Sequence, residues 1–499
     1  MSADKQIKAA VLFYVDEGVS DDALIFMDAW LPDELDARIK AISEQTITDI
    51  YFSVPSSYTG RLLQNPNCAA RTGEDDVSFW KTLFAKTDAD HIVKIFCDSP
   101  FLDGQLIKEM LQTQAEYFAE FTYSENLPSG FSCEIVSRSL ADSLPATEEK
   151  TLPLTQVVKA NINKFDVELF YKAPDIRTNR INFRSKDLRD KKIMEALAGI
   201  AKGVPAYEQT AAIISEHPEA LYIAPSYVEL ELTGECSLNC IFCPRKAANL
   251  RDDMQPSLFD KILRDMQAFS LPYTICLGGM GEPLAHADAL NIIQTAIEDK
   301  LVERLIVETN GINITDEYIK LAADGKLVTI VNINGIDAGT YKTLHGEDRF
   351  AKVTENIFNL KQALGDTSSR LYVQIMKINE TESFLDSYYD FWESKKIPII
   401  LQKQNTWLGL TEDRRYSDLT PLERTSCWHL QRDLFILANG DVAFCKQDIQ
   451  GLCTAGSLVS KTLAEIYASK LDDFIRNTKA DYPAKPNCAV CDEWYTFNF

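Results

Sequence analysis

The chain has 499 residues, too many for one ordinary hydrophobic core and enough for about three domains. It is 45% hydrophobic and 25% charged, the composition of a globular protein, and no stretch approaches the roughly 18 consecutive apolar residues of a membrane span. A net charge of −23 repels nucleic-acid phosphates and anionic lipid, so neither nucleic acid nor membrane is expected as a partner.

The first six residues lack the apolar core of a signal peptide. Twelve cysteines are spaced like metal ligands, not like a small disulfide scaffold, so a reducing, cytoplasmic location is expected. Five histidines (His91, His217, His286, His345, His429) form no HxH or HExxH pair, and a histidine metal site is not expected.

The N-terminal part alternates strand and helix. Ala9–Val15 reads as a buried strand, a helical stretch is expected near Asp33–Glu44, and Asp49–Val54 and His91–Cys97 read as further strands. This pattern predicts a parallel, doubly wound sheet with Asp98 at a strand's carboxyl end, where ligands bind in such sheets. Three phrases, Cys97-Asp98-Ser99-Pro100, Leu127–Glu134 and Arg180–Leu188, resemble segments of GT-A type sugar-nucleotide cytidylyltransferases. The resemblance implies a nucleotidyltransferase-like domain over residues 1–205 with Asp98 in its metal-aspartate turn. One departure stands out. Where those enzymes carry a basic phosphate-binding loop, this chain has Asp16-Glu17-Gly18-Val19-Ser20-Asp21-Asp22, whose carboxylates repel a triphosphate. The domain is therefore expected to be degenerate, a recognition module or docking surface. A short helical linker, 206–225, follows.

Next come six strands separated by helices: Tyr227–Thr233, Tyr273–Gly279, Glu303–Asn310, Leu327–Gly335, Arg370–Ile378 and Ile397–Asn405. The clearest helix is Pro256–Phe269, with Leu258, Ile262, Leu263, Met266 and Phe269 on one face. Directly after the first strand stands Cys236-x3-Cys240-x2-Cys243. Three thiolates on one loop hold three irons of a [4Fe–4S] cluster and leave the fourth open to an external ligand. A zinc knuckle or three unrelated buried thiols is the alternative. The second strand ends in Leu277-Gly278-Gly279-Met280-Gly281-Glu282-Pro283, the third in Thr309-Asn310-Gly311, and the fourth in Asn332-Ile333-Asn334-Gly335. Glycines let a backbone approach a ligand closely, and asparagines at strand ends either bond a ribose hydroxyl or cap a turn. Gln374 and Lys377 on the fifth strand are weaker candidates.

At the C-terminus Cys427 is followed by Gly440 and Cys445, and then by Cys488-Ala-Val-Cys491. A hairpin over Phe435–Phe444, turning at Asn439-Gly440, would bring Cys427 and Cys445 together. Four thiolates close a [4Fe–4S] cluster, and a four-cysteine zinc site has the same ligand count. Cys453 has no evident partner, and Cys68, Cys97, Cys133 and Cys276 read as small buried hydrophobes. Arg432, Asp433 and Asp448 flank the ligand cysteines and are either substrate contacts or solvated charges.

The cysteine loop with Phe242, the Gly-Gly-Met-Gly-Glu-Pro element and Thr-Asn-Gly resemble the radical S-adenosylmethionine (SAM) enzymes, and the C-terminal cysteines resemble a shortened, twitch-like SPASM domain. With the N-terminal part, the whole resembles the spiro-SPASM proteins of spirochaetes. The resemblance implies an α/β chain with a partial (β/α)6 radical SAM core at 226–420 and an auxiliary-cluster domain at 421–499. It implies two [4Fe–4S] clusters, on Cys236, Cys240 and Cys243 and on Cys427, Cys445, Cys488 and Cys491. It also implies SAM held near Phe242, Gly278, Gly279, Gly281, Glu282, Thr309, Asn310 and Asn332. The expected activity is reductive SAM cleavage to a 5′-deoxyadenosyl radical, which abstracts hydrogen from a peptide or sugar-like small molecule. Electrons would come from an external donor such as flavodoxin or ferredoxin. Asp448 is the candidate base. The change from the family's Asp to Asn334 leaves no acid at that position. Two other readings stand: a sugar-nucleotide nucleotidyltransferase with a regulatory iron–sulfur half, and an iron–sulfur binding module without turnover.

Overall fold

The computed structural model describes residues 7–19, 47–71, 77–144, 153–323, 325–365, 368–418, 420–482 and 485–496. The helical stretch expected at Asp33–Glu44 and the end of the acidic run, Ser20–Asp22, lie outside the described residues. Two compact units are present, Met1–Ile223 and Ala224–Phe499. No helix among the described residues is long and apolar enough to cross a membrane.

In the first unit the strands are β1 (Ala9–Tyr14), β2 (Ile47–Pro55), β3 (Cys68–Arg71), β4 (His91–Phe96), β5 (Phe121–Tyr123), β6 (Glu134–Ser137) and β7 (Val167–Leu169). They form one sheet in the order β3-β2-β1-β4-β6-β5-β7. Every residue of β1 is buried. Side chains alternate along a strand, so Ala9, Val11 and Phe13 join a core with Ile107 and Met110 on one face. Ala10, Leu12 and Tyr14 join a second core with Trp80 and Phe84 on the other. Both faces are covered, which is why the strand reads as an unbroken apolar run. The sheet is mixed where an all-parallel one was expected: β6 runs antiparallel to β4 and β5. No crossover helix lies between β5 and β6, and a parallel return needs one. The Tyr207–Glu216 helix belongs to this unit. Its Tyr207 is buried, with its N–H on Asp103 Oδ2 at 2.9 Å and its hydroxyl on the Pro174 carbonyl at 2.5 Å.

The second unit holds β8 (Tyr227–Glu231), β9 (Tyr273–Gly278), β10 (Val302–Thr309), β11 (Leu327–Asn332), β12 (Leu371–Lys377), β13 (Ile399–Lys403), β14 (Asp433–Ile436), β15 (Asp441–Ala443) and β16 (Thr454–Ser457). The sheet order is β13-β12-β11-β10-β9-β8-β14-β15-β16. Strands β8 to β13 are mutually parallel, each beside its neighbour in sequence, with a helix in every connection. The first of these helices, Pro256–Gln267, buries Phe259, Ile262, Leu263 and Met266. Leu258 and Phe269, expected on its apolar face, are only partly buried. Tyr227, Cys276, Ile306, Val328 and Ile330 form an inner cluster across the strands, with Tyr372 and Ile400 packed against it.

The C-terminal hairpin does not stand apart from this sheet. β14 pairs in parallel with β8, and β15 and β16 follow antiparallel. The expected turn is present, with Gly440 at φ +87°. β14 thereby covers the edge of β8 that would otherwise offer unpaired backbone groups. It also fixes the C-terminal cysteines against the strand that leads into the first cysteine loop.

Candidate cluster and cofactor site

Cys236, Cys240 and Cys243 follow β8, are not in disulfides, and line a cavity of about 670 Å³ at the carboxyl ends of β8 to β13. The loop is anchored by a helix end. The last carbonyls of the Ala338–His345 helix have no partners within the helix. Asn239 N–H donates to the His345 carbonyl at 3.1 Å and Ile241 N–H to that of Leu344 at 3.0 Å. Gly346 closes the helix at φ +87°, where a Cβ would come within 3.2 Å of the Asn239 carbonyl oxygen. The His345 ring places Nδ1 3.1 Å from Cys240 Sγ, and Phe242 meets that ring edge-on with centroids 5.8 Å apart. Asn310 Nδ2 lies 3.8 Å from Cys236 Sγ.

Burial raises the pKa of all three thiols, and at Cys240 its neighbours Cys243 and Cys236 raise it further. Bound metal reverses that preference, because a coordinating thiol is deprotonated outright. Among the described residues no three His, Cys, Asp or Glu side chains converge on a single metal-ion position, as a zinc knuckle requires. A cubane takes one thiolate per iron and needs no such convergence. Three partly buried thiols on one loop lining a roomy cavity therefore fit a [4Fe–4S] cluster.

Gly278, Gly279, Gly281 and Glu282 line the same cavity. Two of the glycines are also required by packing within the chain. A Cβ on Gly279 would meet Glu231 Cβ at 2.8 Å, and one on Gly281 would meet the Thr233 carbonyl oxygen at 2.0 Å. Glu282 is buried, and its carboxylate joins three elements. Thr309 Oγ1 donates to Oε1 at 2.6 Å, Asn310 N–H to Oε2 at 2.7 Å, and Leu284 N–H to Oε1 at 3.1 Å. Burial raises its pKa against the opposing pull of these bonds. Asn332 also faces the cavity, with Oδ1 accepting from Gln374 Nε2 at 2.6 Å. Asn334 is buried and its Oδ1 accepts from Met376 N–H at 2.7 Å, a strand-end role.

Cys427, Cys445, Cys488 and Cys491 line the same cavity. Burial raises their thiol pKa values, to about 12 at Cys427 and about 11 at Cys488; Cys488 and Cys491 raise Cys427 and Cys445 further, and Cys491 raises Cys488. These effects place Cys427, Cys445 and Cys488 within electrostatic reach of Cys491. Lys446, beside Cys445, reaches Glu229 of β8 at 2.8 Å and lines the cavity with it. Asp433 lines the cavity too, paired with His429 at 2.6 Å. Asp448, expected to reach the substrate as a base, is not among the lining residues. Its two carboxylate oxygens accept from Leu452 N–H at 2.9 Å and Cys453 N–H at 2.8 Å, so it holds a loop.

In the first unit the three singled-out segments come together. The Phe183 N–H donates to the Ser129 carbonyl at 2.8 Å, and the Ser185 N–H to that of Asp98 at 2.8 Å. Arg184 sits between the carboxylates, 2.7 Å from Asp98 and 2.6 Å from Asp16. A guanidinium from the third of these segments thus neutralises the aspartates at the strand ends.

Residues 230–387 match the model of the radical SAM superfamily, and residues 427–492 match that of the SPASM iron–sulfur cluster-binding domain. An uncharacterized protein of Treponema pallidum (strain Nichols) is 27% identical over 363 residues, 68% of this chain and 97% of that protein. A GTP 3′,8-cyclase of Synechococcus elongatus is 24% identical over 172 residues, 34% of this chain and 48% of the cyclase. The chain thus spans nearly all of the first relative and about half of the second. Among solved structures, Streptococcus suis SuiB bound to S-adenosylmethionine aligns with a TM-score of 0.44 and 14% identity, covering 60% of this chain and 82% of that one.

Proposed function

From the premise that this chain carries a radical SAM domain followed by a SPASM domain, with SAM and [4Fe–4S] clusters as cofactors, we propose a specific division of work among its residues. Cys236, Cys240 and Cys243 hold the cluster that binds SAM, and Cys427, Cys445, Cys488 and Cys491 hold an auxiliary cluster. When bound, a reduced cluster with one open iron supplies the electron that cleaves the sulfonium carbon–sulfur bond of SAM, releasing a 5′-deoxyadenosyl radical that abstracts a substrate hydrogen atom.

The residues supply placement. Glu282 ties the glycine segment to Thr309 and Asn310, which fixes the wall beside Cys236. Phe242 covers the cysteine loop, and the loop's anchoring to the Ala338–His345 helix keeps the thiols in register. Asn332, Gln374 and Gln402 form a chain of amides across the strand ends, with Gln374 Nε2 on Gln402 Oε1 at 3.0 Å. These amides suit a polar, uncharged group such as a hydroxyl or a peptide amide. β14 and the residues after it line one side of the space, and with a substrate bound they would help to keep water from a reactive radical.

One observation carries this reading: a single cavity is lined by both cysteine sets, the glycine segment and the strand-end amides. A substrate held there lies near both the site of SAM cleavage and an electron acceptor, which favours net oxidation. The enzyme would then draw its first electron from an external donor of flavodoxin or ferredoxin type. The test is anaerobic incubation with SAM and a reductant, followed by chromatography. Release of 5′-deoxyadenosine supports the reading, and intact SAM with a fully loaded cluster contradicts it.

A further inference from the structure

His345 was outside every metal motif in the sequence, and the structure gives it a defined place. Its ring is buried at 1% exposure and stacks on Tyr341 with centroids 4.2 Å apart and an interplanar angle of 24°. Phe242 meets it nearly perpendicular, at 83°. The ring's rotation is therefore fixed by packing on two sides. Its two nitrogens then have unlike partners. The Asn334 N–H points at Nε2 at 3.1 Å, and a backbone amide only donates. Nε2 must accept and carries no proton. In a neutral imidazole the proton then resides on Nδ1, which faces Cys240 Sγ at 3.1 Å.

We propose that His345 is a positioning residue for the cluster at Cys236, Cys240 and Cys243: its Nδ1–H donates a hydrogen bond to the Cys240 sulfur, orients that ligand and raises the cluster's reduction potential. The inference rests on the reading that this loop holds an iron–sulfur cluster. A hydrogen bond to a ligating sulfur draws negative charge from it and stabilises the reduced state, one of the levers by which proteins set cluster potentials. The backbone supports the same assignment. The His345 carbonyl accepts from Asn239 N–H at 3.1 Å, so ring and main chain hold the residue just before Cys240 and Cys240 itself. One residue thus couples the end of β11, through Asn334, to the cluster loop more than 90 positions earlier in the chain.

The test uses the full chain, reconstituted anaerobically, with the potential of the three-cysteine cluster followed by EPR-monitored redox titration. His345→Phe keeps the stacked ring and removes the donor; His345→Asn returns an amide N–H near the Nδ1 position. With iron content at the wild-type level, the Phe variant is expected to titrate at a more negative potential. The Asn variant should recover part of the shift, and the auxiliary cluster should not move. An unchanged potential in a fully loaded Phe variant overturns the inference. If that variant loses its cluster, the wild-type protein decides: ¹⁵N-histidine labelling must alter a weak nitrogen hyperfine coupling to the reduced cluster, and its absence overturns the inference. Failure of the underlying reading looks different, because wild-type protein would then hold no cluster at these cysteines.

Discussion

Glu282 commits both carboxylate oxygens to its own chain, to Thr309, Asn310 and Leu284. Glu282→Gln replaces an acceptor oxygen by a donor amide facing backbone N–H groups. The expected loss in SAM affinity or cleavage is roughly 10–100-fold, the range for outer-shell partners of metal sites. Equilibrium binding of SAM to the reconstituted variant measures it. Asp448→Asn should leave SAM cleavage unchanged. Its cost falls on the 445–453 loop, about 1–3 kcal/mol for a lost buried acceptor, read by thermal unfolding. A loss of cleavage with unchanged stability would return Asp448 to a catalytic role. In the first unit, burial and the nearby Asp187 carboxylate raise the Asp190 carboxyl to about 7. The sign follows from linkage. Between roughly pH 4 and pH 7 the folded chain binds a proton there that the unfolded chain has lost, so stability falls as pH rises through that window. Asp190→Asn should flatten the decline in melting temperature between pH 5 and pH 8. An equally steep decline in the variant would assign it to other groups.

At the scale of elements, the glycine segment and the stretch after β8 behave as one piece. Gly281→Ala would set a Cβ 2.0 Å from the Thr233 carbonyl oxygen, and that backbone cannot yield without moving Glu235 and Cys236 behind it. The variant is expected to reconstitute with reduced iron at the first loop and normal iron at the auxiliary site, measured by iron analysis and EPR. The strands of this unit were legible because a parallel, covered strand is a continuous apolar run bounded by turn residues: Tyr227, Tyr273 and Leu327 begin observed strands where the sequence placed them. The cysteine loop was legible because its three cysteines lie within eight residues. His345, Arg184 and the Glu229–Lys446 pair were not, since each acts on a partner brought close only by the fold. The same holds for β14, whose pairing with β8 spans about two hundred residues of sequence. The antiparallel β6 was missed because a short strand carries no sign of its direction.

At the scale of the molecule, the two units carry different chemistry. Arg184 already pairs with Asp16 and with Oδ1 of Asp98 in the first. Displacing this half-buried guanidinium with a metal–triphosphate would cost both ion pairs and leave the phosphates facing two unpaired aspartates. Isothermal titration of the full chain with CTP and magnesium is expected to show no tight binding. Micromolar affinity with pyrophosphate release would instead support a nucleotidyltransferase. The central claim concerns the second unit, and one comparison tests it most directly. Wild-type protein and the Cys236→Ala, Cys240→Ala, Cys243→Ala triple variant are reconstituted anaerobically and assayed together for iron and for 5′-deoxyadenosine. The wild type should hold about eight irons per chain and cleave SAM, and the triple variant should keep about four irons and release no 5′-deoxyadenosine. A triple variant that still cleaves SAM would contradict the account.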